Sequence, residues 1–121
     1  DNHLVYERNI GSDVIRLVSE DAVPAGTSTI QFRYDKVSTG LAVAKGLFSE
    51  GLEFNRLSVL KGTGTLLIDK KESGSATIEQ PFMIGWEGLD IGRDTGSPVS
   101  PSYEAPANFA GHLETVIYDI Q

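Results

Sequence analysis

The sequence predicts an all-β fold, an antiparallel β-sandwich, and three observations carry that prediction. The stretch STIQFRYD alternates cleanly, with Ile30, Phe32 and Tyr34 on one face and Gln31, Arg33 and Asp35 on the other, the period-2 pattern of a strand buried on one side. Short apolar runs recur along the chain with turn residues between them, and its 13 glycines and 5 prolines fit many tight connections. No helix-length periodicity dominates. At 121 residues the chain is predicted to be a single domain, residues 1–121.

Taken in order, HLVYER reads as a first strand followed by the turn-like NIGS. DVIRLVSE reads as a second strand, closed by DAVPAG, where Pro24 and Gly26 end one strand and prepare the next. STIQFRYD is the third. The segment TGLAVAKGLFSEGLEFNRL breaks the pattern. Leu41, Ala44, Phe48 and Leu52 fall near helical spacing, but Gly46 and Gly51 interrupt it, each at about 1 kcal/mol against alanine in a helix. The expectation is a long loop or short helical excursion near 39–54. GTLLIDKK and GSATIEQ flank KKESG, a hairpin with Gly74 expected near its turn. PFMIGWEGLDIG is apolar with three glycines, a sign of bulges or close backbone approach. Pro98, Pro101 and Pro106 stiffen residues 96–108 into an extended loop. GHLETVIYDI puts Val116, Tyr118 and Ile120 in phase, with Leu113 and Ile117 on the opposite phase, and predicts a closing strand.

The net charge of −7 argues against nucleic-acid phosphates and anionic membranes as partners. With no cysteine, the chain has no disulfides, thiolate metal ligands or thiol nucleophile. No apolar run reaches the length of a membrane-spanning helix, and DNHLVYERNI has neither the basic start nor the apolar core of a signal peptide.

Catalytic constellations are scarce. No serine sits in a G-x-S-x-G elbow, and GTGTLL lacks the Lys-Ser/Thr of a phosphate-binding loop. His112 and Glu114 share a phase, but two ligands do not make a zinc site, so neither metal nor cofactor is predicted. The loop LDIGRDTGSPVSPSY, residues 89–103, is richer in chemistry. Asp90 and Asp94 bracket Gly92 and Arg93. Hard oxygens there would suit calcium, but the spacing fits no EF-hand and Arg93 adds a positive charge. The favoured reading is structural: an Arg–Asp pair, with Asp94 and Thr95 bonding to the turn. Arg93 and Asp94, as strand neighbours, point to opposite sides and should find separate partners, Asp94 among the amides of residues 95–97 and Arg93 at Asp90, Glu87 or Tyr103. The rival reading is a ligand site of Trp86, Asp90, Arg93, Asp94 and Tyr103 in a carbohydrate-binding module, with Trp86, Tyr103, Phe109 and Tyr118 as a stacking platform for sugar rings and room left beside Trp86 by Gly85 and Gly88.

Four stretches together resemble the C-terminal region of bacterial arylsulfatases: VPAGTSTIQFRYD (23–35), GTGTLLIDKK (62–71), QPFMIGWEGLDIGRDTGSPVSPSY (80–103) and FAGHLETVIYDI (109–120). The most specific part is the loop 92–103, and residues 36–61 depart from the pattern. The resemblance implies a jelly-roll sandwich of the concanavalin-A or laminin-G kind. It also implies a non-catalytic accessory role beside a sulfatase catalytic domain, and favours an extracytoplasmic setting that composition alone does not fix. The family's catalytic motif, C/S-x-P-x-R, does not carry over. The five arginines are preceded four positions earlier by Leu4, Ser12, Thr29, Leu52 and Leu89, and the candidate SDVIR lacks the proline. Sequence alone therefore leaves an accessory packing module, a carbohydrate-binding module and, least supported, a free-standing enzyme.

Overall fold

The computed structural model describes residues 2–10, 13–42, 57–81 and 88–120. The chain divides into two compact units, Asp1–Ile84 and Gly85–Gln121. Among the described residues the structure is all-β with no helix, and every ladder is antiparallel.

The first unit holds five strands: β1 (His3–Ile10), β2 (Asp13–Ala22), β3 (Ile30–Ala42), β4 (Leu57–Ile68) and β5 (Lys71–Pro81). β1 and β2 form one hairpin sheet, and β3, β4 and β5 form a three-stranded sheet with β4 in the middle. The alternation of the third strand is realised by register. Ile30, Phe32 and Tyr34 lie opposite Ile68, Leu66 and Gly64, so these six share one face. Leu66 and Ile78 are almost completely buried. The hairpin sheet packs on this face: the Tyr6 ring of β1 stacks on the Phe32 ring of β3 with centroids 4.0 Å apart and planes 2° apart. Two antiparallel layers in contact are consistent with a β-sandwich.

Two glycines in β4 make room for the aromatic residues. A Cβ on Gly62 would lie 2.5 Å from the Asp35 carbonyl oxygen and 2.6 Å from the Tyr34 ring, and one on Gly64 would overlap the Ile78 side chain. The gap is filled by neighbouring rings, and the Tyr34 hydroxyl donates to the Ile78 carbonyl at 3.3 Å. Burial raises the Tyr34 phenol above its usual pKa. On the opposite face Thr65 and Leu67 are also buried. Arg33 crosses that side of β4, reaching Glu72 of β5 at 2.8 Å while its Nε donates to Asp35 at 2.9 Å, and its stem can shield apolar surface beneath.

A polar junction joins the two sheets. The β1–β2 register slips between His3 and Val5, and Ser19 occupies the irregularity. Its hydroxyl accepts from the Leu4 amide at 2.9 Å and donates to the Asp21 carbonyl at 2.7 Å. His3 Nδ1 lies 2.8 Å from the Ser19 carbonyl. From β5, buried Ser73 accepts from the Asp21 amide at 2.8 Å, and Lys71 donates to the Asp21 carboxylate at 2.9 Å. The Lys71 ammonium holds the Asp21 carboxyl below the usual carboxylate range.

Three expectations are corrected. The hairpin turn is Asp69–Lys70, closed by the Ile68–Lys71 pair, with φ of 49° and 71°, as a type I′ turn requires. Gly74 lies inside β5, at the register shift opposite Leu66, with φ of 133° and its Cβ position 3.1 Å from the Val18 carbonyl. It serves a bulge under β2, not the turn. Residues 39–42, predicted to begin a loop or helical excursion, continue β3 because they pair with 57–60; the rest of that excursion, 43–54, lies outside the described residues. Finally, 112–120 form no strand, and their large apolar side chains stay exposed, so the alternation there finds no ladder partner among the described residues.

Two substitutions test these assignments. Lys70→Gly should raise unfolding stability by about 0.5–1 kcal/mol, the relief of a left-handed lysine less the extra unfolded-state freedom of glycine. Gly62→Ala should lower it by about 1–3 kcal/mol through overpacking against Tyr34 and the Asp35 carbonyl. Urea titration of each variant measures both.

Candidate functional site

The second unit centres on the loop singled out in the sequence. β6 (Arg93–Asp94) pairs with β7 (Ala107–Asn108). Just before β6, Gly92 has φ of 73°, and its carbonyl accepts from the Phe109 amide at 2.9 Å. This short ladder closes residues 93–108 into a loop with anchored ends.

Within the loop the polar side chains bond to one another. Asp90 accepts from both the Thr95 amide, at 2.8 Å, and the Thr95 hydroxyl, at 2.6 Å. Those two bonds hold the Asp90 carboxyl below the usual range, with a smaller contribution from Arg93. Asp94 accepts from the Gly96 amide at 3.2 Å. The Tyr103 hydroxyl donates to the other Asp94 oxygen and accepts from the Val99 amide at 3.1 Å. Ser100 is buried and accepts from the Ser102 amide at 3.2 Å. Arg93 approaches Asp90 at 3.8 Å, with its side chain 64% exposed.

The structure thus brings four of the five sequence-predicted site residues together: Asp90, Arg93, Asp94 and Tyr103 line one open cleft of about 540 Å³. Trp86 lies outside the described residues, as does Glu87. Arg93 and Asp94 find separate partners. The Asp94–Tyr103 bond is not among the expected ones, and the eight positions between the two residues carry no local signal for it. Thr95 reaches the Asp90 carboxylate rather than the turn backbone. Among the described residues, no group of three or more His, Asp or Glu side chains is placed to hold a metal ion, and no helix is long and apolar enough to cross a membrane. No protein-family model, curated protein or solved structure matches the chain.

Tyr103→Phe removes two loop bonds at once and should lower local stability by about 1–2 kcal/mol, read as faster amide exchange over 95–103. Thr95→Val tests the electrostatics. The depressed Asp90 pKa makes the Asp90–Thr95 contribution full above about pH 4, the unfolded carboxylate value, and lost as pH falls through the lower folded value. Removing the hydroxyl should return the Asp90 pKa towards the ordinary range, measured by its carboxyl carbon shift.

Proposed function

We propose that the chain is a non-catalytic structural module of the kind that follows the catalytic domain in arylsulfatase-like proteins, folded as a jelly-roll sandwich related to concanavalin-A and laminin-G domains. The observation that supports this reading most is the use made of the loop 92–103, the most specific part of the resemblance, together with Asp90 just before it. There Asp90, Asp94 and Tyr103 all bond to side chains or amides of the same loop. Groups so engaged brace a loop against a neighbour rather than wait for a substrate. The sequence offers no formylglycine precursor motif. The catalytic domain of the same parent protein is the proposed neighbour. Sequencing the coding region upstream in the same reading frame tests the proposal: a C/S-x-P-x-R motif is expected there, and an open frame without one overturns it.

The exposed Arg93 guanidinium in the cleft favours one second reading, a carbohydrate-binding module. A guanidinium beside a carboxylate can grip adjacent sugar hydroxyls in a paired geometry. Titration calorimetry against a panel of oligosaccharides separates the two readings. Binding that Arg93→Ala abolishes without lowering Tm supports the lectin-like role; no heat with any glycan excludes it for that panel.

A further inference from the structure

We infer that residues 114–120 of one copy add as a strand to the β3 edge of a second copy, giving a reciprocal dimer. Donor and acceptor are both on the molecule. The donor is the run ETVIYDI, rich in β-branched and aromatic residues. It takes part in no ladder, and Ile117 and Ile120 are 82% and 92% exposed. The acceptor is β3, which among the described residues has β4 as its one ladder partner. An open edge presents unpaired amides and carbonyls that another strand can satisfy. The apolar layer is also thin on this side. Ile30 and Phe32 on β3 are 49% and 37% exposed, whereas Ile78 on β5, at the other side of the sheet, is 0% exposed.

Orientation and register follow from side-chain matching. Ile30, Phe32, Tyr34 and Lys36 share the face that meets the hairpin sheet, because they lie opposite Ile68, Leu66, Gly64 and Gly62. An antiparallel strand with Ile120 opposite Ile30 places Tyr118 opposite Phe32, Val116 opposite Tyr34 and Glu114 opposite Lys36. Each of these four pairs on the inner face is then apolar with apolar or acid with base, the combinations that stabilise cross-strand neighbours. The bulge at Val37 lies beyond the last of these pairs. A parallel strand over the same residues would set Glu114 against Ile30 and Ile120 against Lys36. Each copy carries one donor and one acceptor, so reciprocal exchange closes about a two-fold axis.

The chain has no native cysteine, so introduced thiols report contacts without interference. In the inferred register Gln31 and Asp119 face each other on the outer side, and both are exposed. Full-length Gln31→Cys and Asp119→Cys variants, each folded alone, are mixed and oxidised. A disulfide between the two different variants is expected, since directly opposed strand residues lie within bridging distance. Untreated wild type should show twice the chain mass by light scattering. Lys36→Glu or Glu114→Lys should each weaken the dimer by about threefold to tenfold, and the two together should restore it. A monomeric mass, absence of the mixed disulfide despite folded variants, or no recovery in the double charge swap would overturn the inference. A disulfide formed only within a chain carrying both cysteines would overturn it too.

Discussion

The first unit depends on the junction where β2 meets β5. Two stacked sheets need a fixed offset, and apolar contact alone slides at little cost. Here Ser73 sits nearly fully buried and takes the Asp21 amide, while Lys71 holds the Asp21 carboxylate and Ser19 absorbs the slip in the β1–β2 register. Buried hydroxyls are tolerated because they are satisfied, and satisfaction fixes the geometry. With that offset set, Tyr6 lands face to face on Phe32, and Gly74 allows the β2 backbone to come within reach of β5.

The same logic of local satisfaction governs the second unit, where apolar burial is slight. Asp90, Asp94 and Tyr103 hold the loop through a set of local hydrogen bonds, and the β6–β7 pair anchors the ends. The carboxylates are therefore committed, and Arg93 remains the group best placed to meet something from outside. This division of roles between the two acids and the arginine links the loop's stability to any binding at the cleft.

Much of the fold was legible in the sequence, and the failures have physical causes. Alternation in 30–35 marks both the strand and the face that meets Leu66 and Gly64, although Ile30 and Phe32 on that face stay partly exposed because β3 lies at the edge of its sheet among the described residues. The turn was misplaced because Gly74 is the conspicuous residue in IDKKESG, whereas Asp69 and Lys70 take positive φ despite having side chains; tertiary bonds from Asp69 to Thr29 hold them there. The alternation in 111–120 predicts a closing strand that the structure does not form, because a ladder needs a second strand, which no pattern within one segment reveals. Residues 39–42 looked helical by spacing and became strand because long-range pairing with 57–60 overrides weak local preference. At the loop, the separate partners of Arg93 and Asp94 followed from strand geometry, while Ser73 and Ser19 gave no signal, being ordinary serines whose importance arises only where two sheets meet.

The reciprocal bonds between Thr29 and Asp69 have a consequence for the order of folding. The Asp69 carboxylate takes the Thr29 amide, and the Thr29 carbonyl takes the Asp69 amide, both at 2.8 Å. They tie the start of β3 to the tip of the β4–β5 hairpin across forty positions of sequence. The hairpins β1–β2 and β4–β5 close short loops and can form early. β3 must instead search for β4 through a long loop, whose closure entropy is lost before any contact rewards it. Loop closure favours the near end of the ladder, where Ala42 meets Leu57, so pairing runs from there back towards Ile30, and the Thr29–Asp69 bonds fasten the far end of β3 to the hairpin tip.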